Sequence, residues 1–164
     1  MTLLIISAII FITYIVTIIA RFGIPESISD SFYLLEQKRK GSGIAFMFLC
    51  VAVTFTLCPY WLEVSPDHIR FLVFLSGGGL LLTGAAHEFK GFEREAHFVG
   101  ATTCATASLL WLIFAGLWVV PLACFVIFST ITLFNRKNWL FWQELAAFTA
   151  VFLALFINNQ IFKS

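Results

Sequence analysis

Few side chains in this sequence are equipped for chemistry. His87 and His97 flank a short charged stretch that also holds Glu88, Glu93 and Glu95. Imidazole nitrogens and a carboxylate are ligands that zinc accepts, and the same groups can work as acid and base. Glu144 stands in Trp139-Leu-Phe-Trp-Gln-Glu-Leu, inside an apolar run. At 1.5 Å per residue it lies about 7–8 Å beyond Trp139 on a helix. That is shallow enough to snorkel or to pair with Arg136 or Arg94, and close enough to the run's end to join the histidines. The candidate metal ligands are therefore His87, His97 and Glu144. The candidate catalytic groups are Glu144, His97, Asp30 and Ser27. The histidine spacing matches no recognised metal motif. Each candidate also has a structural alternative: histidines hydrogen-bonded at a water interface, and a Ser27/Asp30 pair that caps a helix.

The elements that must position these groups are membrane helices. The chain has 164 residues, 60% hydrophobic and only 12% charged. A soluble domain carries about a quarter charged residues, so this chain has too little polar surface to cover a water-soluble globule and must face lipid. A net charge of +1 gives no basic excess to recruit a nucleic acid. Cys50, Cys58, Cys104 and Cys124 lie in or beside apolar runs with no zinc or redox spacing. They read as small packing residues.

A spanning helix needs about 20 mostly apolar residues. Six stretches supply them: Thr2–Ala20, Ile44–Leu62, Ile69–Ala86, Phe98–Ala115, Leu117–Phe134 and Trp139–Ile157. The expected fold is an all-α bundle of six transmembrane helices in a single transmembrane domain. The fourth and fifth stretches form one nearly continuous run, Phe98–Phe134. One helix of that length would be about 55 Å long, so the run must fold back, with Gly116 and Pro121 as its punctuation.

Loop charge sets the orientation. Arg21, Lys38, Arg39 and Lys40 lie in the segment 21–43, Lys90 and Arg94 in the second loop of that side, Arg136 and Lys137 in the third. Arg70 and Lys163 alone fall on the other side. The positive-inside rule puts the first group in the cytoplasm and both termini outside. The apolar start, with no leading Lys or Arg, reads as a retained first helix and not a cleaved signal. In the 21–43 segment, Ser27 and Asp30 form an S-x-x-D helix start, followed by a short helix at the headgroup level. Gly77-Gly78-Gly79 and Gly84-Ala85-Ala86 are small-residue faces for close helix packing. The glycine run lacks the Lys and Ser/Thr of a phosphate-binding loop.

Two resemblances add to this reading. The stretches Gly23–Tyr33, Trp61–Pro66, Gly84-Ala85-Ala86 and His97–Ala101 together resemble a group of small uncharacterised polytopic membrane proteins of Bacteroides-type bacteria and their phages. That likeness covers nearly the whole chain and implies a bacterial membrane protein without specifying an activity. More distantly, a helix end, a short acidic loop and His97 followed by Gly100-Ala101 are similar to the alkaline ceramidase-like membrane hydrolase superfamily. That likeness implies a zinc hydrolase with Ser, Asp and several His ligands. The sequence has three histidines, none in the last two spans where the superfamily places a pair, so only His97, and after it His87, carry over.

Three functions follow, in this order. The first is a multi-pass protein of the bacterial inner membrane that works without catalysis, through packing, lipid contacts, a protein partner or self-association. The second is a metal-dependent hydrolase with a cytoplasm-facing site, for which zinc is the expected cofactor. The third is a small-solute or ion transporter. It would need polar groups near the midplane, where the sequence offers Thr54, Thr56, Ser108 and Thr130.

Overall fold

A computed structural model of the chain describes residues 1–134 and 136–161, without the side chains of Phe134, Lys137 and 159–161. Lys163 and the Lys137 side chain, both counted in the loop charges, lie outside the described residues. Those described form seven helices and no strand: α1 (Thr2–Phe22), α2 (Ser31–Lys38), α3 (Ile44–Glu63), α4 (Arg70–Ala85), α5 (Glu93–Phe114), α6 (Val119–Phe134) and α7 (Trp139–Ile161). Short 3-10 turns at Asp67–Ile69, Ala86–Glu88 and Arg136–Asn138 lead into α4, out of it, and into α7.

Five helices are long and apolar enough to cross a membrane: α1, α3, α4 with its flanking turns, α5 and α7. Their outer faces are apolar too. On α1, Leu4, Ser7, Phe11, Ile15 and Ile18 are buried, while Ile9, Ile12 and Val16 on the far side are exposed. Phe55, Phe74 and Phe98 face outward on α3, α4 and α5. Apolar surface this continuous belongs against lipid, and the chain is a multi-pass helical membrane protein.

The fifth expected span, Leu117–Phe134, is shorter than the sequence suggests. Its helix begins at Val119 and has 16 residues, about 24 Å. The turn before it takes up the difference. Gly116 adopts φ 76°, and the Leu117 amide reaches back to the Leu112 carbonyl at 2.9 Å, a Schellman-type end to α5 that glycine favours. Pro121 then falls in the first turn of α6, where a missing N–H leaves nothing unpaired.

The helices pack through small residues. α4 lies closest to α5, and Gly79 and Gly100 meet there: a Cβ at Gly79 would come within 2.6 Å of the Cys104 backbone nitrogen, and one at Gly100 within 2.7 Å of the Thr83 nitrogen. Gly77 and Gly84, on another face of α4, meet Cys58 and Cys50 of α3. All four cysteines are free.

The connections sort to two ends. At one, the turn after α3 is pinned: Trp111 Nε1 donates to Ser65 Oγ at 2.8 Å, Ser65 Oγ donates to the Trp61 carbonyl at 2.5 Å, and Asn158 donates to the Val64 carbonyl at 3.2 Å. Met1 sits there also, its sulfur 4.0 Å from the Tyr60 hydroxyl. The other end gathers the three charge-bearing connections, since residues near Asn138 bond to residues near Pro25 and His87 stacks on Phe32.

Candidate functional site

The site is built around the irregular segment between α1 and α2. Gly23 ends α1, and the chain then crosses the N-terminus of α7, where helix amides lack intrahelical partners. The Phe141 amide donates to the Glu26 carbonyl at 2.9 Å. Asn138 Nδ2 donates to the Ile24 and Pro25 carbonyls at 2.5 and 2.7 Å. The Ile28 amide donates to Glu144 Oε2 at 2.5 Å. Asn138 just ahead of α7, and Phe141 and Glu144 within it, each about one turn from the next, thus hold residues 24–28 across the end of the bundle. Ile28 is 4% exposed, so the segment is anchored by its apolar side chain as well.

Ser27 and Asp30 take structural positions on that segment. Ser27 Oγ accepts the Asp30 amide at 3.0 Å and lies 3.1 Å from Ser29 Oγ. The expected helix start is corrected in detail: the Ser27 hydroxyl closes the turn ahead of α2, and Asp30, at the N-cap position of α2, makes no side-chain cap bond. Partial burial, and after it the Glu26 carboxylate, push the Asp30 carboxyl above the ordinary carboxylate range. Ser31 Oγ donates to the Ile28 carbonyl at 2.5 Å and lies 2.6 Å from the Tyr14 hydroxyl, tying the segment back to α1. At the far end of α2, the Glu36 carboxylate accepts the Gly41 and Gly43 amides, which holds its pKa down.

The histidines occupy two settings. The His87 ring stacks on Phe32, centroids 3.4 Å apart, with the Tyr33 ring edge-on at 5.3 Å. His97 is 6.5 Å from His87 between ring centroids. Both nitrogens of His87 and Nδ1 of His97 are buried and have no hydrogen-bond partner among the described residues.

A cavity of about 140 Å³ lies between α1, α3, α4, α5 and α7. Its wall is mainly apolar, with Leu49, Val53 and Leu57 from α3 and Phe148, Val151 and Phe152 from α7. The α3 part of the wall runs from Phe46 to Trp61, about 22 Å of helix. The polar groups on it are Ser29, Ser76, Thr83, His97, Ser108 and Glu144. Most are internally satisfied: Ser76 Oγ and Ser108 Oγ are 2.6 Å apart, Ser108 Oγ donates to the Cys104 carbonyl at 2.7 Å, and Thr83 Oγ1 donates to the Gly79 carbonyl at 2.8 Å. Glu144 uses Oε2 for Ile28, and its Oε1 makes no hydrogen bond within the described residues.

The structure therefore brings His97 and Glu144 to one cavity. His87 stands beside His97 against α2, and Asp30 and Ser27 stay in the segment, whose neighbouring Ile28 and Ser29 reach the wall. The expected pairing of Glu144 with Arg136 or Arg94 is replaced by the Ile28 amide. The one ion pair among the described residues is Arg70–Asp67 at 2.7 Å. Among the described residues no three His, Cys, Asp or Glu side chains are grouped to hold a metal ion. The carboxylate of the expected set is bonded to a backbone amide. Asn138 and Ser76 were not foreseen. An Asn just ahead of an apolar run is a helix-cap signal, and it marked the first of these.

No family model, curated protein or solved structure matches the chain. The two resemblances rest on the residues quoted for them.

Proposed function

We propose that the chain is a six-span protein of the bacterial inner membrane that works without catalysis, by holding a small lipid-soluble molecule in its central cavity. The cavity itself carries this reading: five helices line it with mainly apolar side chains, while Ser27 and Glu144, two of the groups a hydrolase would need, are engaged by the segment, Ser27 in closing its turn and Glu144 in holding it to α7. α6 completes the six as the shortest span, a mismatch that local bilayer thinning absorbs at modest cost. The charge-bearing end then faces the cytoplasm, with both termini outside. Lys38→Cys is expected to react with a membrane-impermeant maleimide only in inside-out vesicles. Labelling in intact spheroplasts would reverse the orientation.

The function is tested on detergent-purified protein by metal analysis and by thermal unfolding with benzene. An apolar cavity of roughly 150 Å³ admits benzene. At about ten times its dissociation constant a guest adds about 1.4 kcal/mol, a rise of about 3–6 °C at this chain length. The rise should vanish in Ala147→Leu, which fills the cavity wall. Benzene without effect on the unsubstituted protein would sink the cavity reading. About one zinc per chain, lost in His97→Ala, would put the hydrolase in its place.

A further inference from the structure

The cavity's one carboxylate meets no counter-charge among the described residues. Among the described residues no Lys or Arg lies within ion-pair distance of Glu144, since the only such pair is Arg70–Asp67. Its Oε1 makes no hydrogen bond among the described residues. A carboxylate taken out of water is costly unless a cation or hydrogen-bond donors meet it. The wall near it is aromatic. Phe148 follows Glu144 by one helical turn, its ring stacks on Phe11 with centroids 4.5 Å apart, and Phe152 lies 5.8 Å from Phe11. All three rings line the cavity. Ring faces attract organic cations, more strongly where water is excluded. On the opposite wall, from α5, His97 Nδ1 is buried and unpartnered. In the Nε2–H tautomer it is an acceptor. An ammonium group has three N–H donors, and here Glu144 Oε1 and His97 Nδ1 offer two acceptors beside an aromatic wall.

We propose that the cavity is a binding site for a small organic ammonium ion with a single alkyl or aryl tail. The head sits between Glu144 and His97, and the tail lies along the apolar wall toward α3. This rests on the cavity reading above and names its ligand class. A cavity of about 140 Å³ holds a tail of about six carbons, the size of the benzene ring such a space admits. The Ile28 amide stays on Oε2, so binding does not require the segment across α7 to be released.

Hexylamine, hexan-1-ol and hexanoate share one tail and differ in head charge. Their binding to the purified protein at neutral pH, read by calorimetry beside benzene, tests the assignment. A charge-assisted hydrogen bond favours hexylamine over hexan-1-ol on the order of 10-fold or more, with hexanoate weakest. Glu144→Gln keeps an oxygen for the Ile28 amide. It should remove most of that preference while hexan-1-ol binds as before. The three-probe comparison on the unsubstituted protein decides the matter even if that variant is not recovered. Equal binding of the three, or benzene binding without hexylamine, overturns the ammonium assignment and leaves the cavity reading standing. No binding of any probe, benzene included, overturns both.

Discussion

Gly79→Ala and Gly100→Ala should each lower the thermal midpoint of the purified protein by about 6–12 °C, the equivalent of about 3 kcal/mol of overpacking at this chain length. The added methyl has nowhere to go. At Gly79 it meets the Cys104 nitrogen at 2.6 Å and the Gly100 carbonyl oxygen at 2.7 Å, and at Gly100 it meets the Thr83 nitrogen and the Gly79 oxygen at 2.7 and 2.8 Å. These are backbone atoms of the facing helix. They cannot rotate aside, so α4 and α5 must separate along their length. Gly77→Ala meets the Cys58 sulfur at 2.7 Å, the end of a side chain that can move, and should cost less. Gly78→Ala meets nothing within 4 Å and should shift the midpoint by no more than about 2 °C. The ordering of these variants is the test. If Gly79→Ala behaves like Gly78→Ala, the close approach of α4 and α5 is not what holds the pair together.

The same glycines show why part of this fold was legible in the sequence. A run of small residues in an apolar stretch has few uses besides close helix contact, so a packing face at Gly77–Gly79 could be read directly. Which neighbour each glycine meets could not, because two faces of α4 are used within three residues. Helix limits drifted for a similar reason. Hydropathy starts the fourth span at Phe98, yet α5 begins at Glu93, because Glu93 and Glu95 suit the positive end of a helix while contributing nothing apolar. The fifth span was read two residues too long, since Leu117 and Trp118 are apolar but belong to the turn after Gly116.

The candidate site divided along the same line. Glu144 stood out because a carboxylate in an apolar run needs a partner, and charge suggested Arg136 or Arg94. The partner is instead a backbone amide more than a hundred residues away in sequence, which no side-chain pattern announces. Ser76 and Ser108 escaped notice as a pair for the same reason. Their 2.6 Å contact depends on how far α4 slides along α5, and the glycines at the crossing set that.

Asn138→Ala should release the segment across α7 without unfolding the bundle. Asn138 is 7% exposed, and its amide nitrogen serves two carbonyls, those of Ile24 and Pro25. Alanine leaves both facing a helix end with no donor, at a cost of about 1–3 kcal/mol each. That is a large share of what holds eight irregular residues in place, and a small one beside the packing of the long helices. The opening should therefore be local. Amide exchange at Ile28 and Phe141, whose protons bond to Glu144 and to the Glu26 carbonyl, should accelerate by on the order of 10- to 100-fold, while amides in the middle of α4 keep their protection. Asn138→Asp should open the segment further, because it sets a carboxylate against two carbonyl oxygens. Glu144→Gln should open it less, because the Gln carbonyl still accepts the Ile28 proton. Ile28 and Ser29 line the cavity, so an opened segment also admits water to the wall beside His97. Unchanged exchange at Ile28 in Asn138→Ala would mean that the buried Ile28 side chain, and not the polar contacts to α7, closes this end of the bundle.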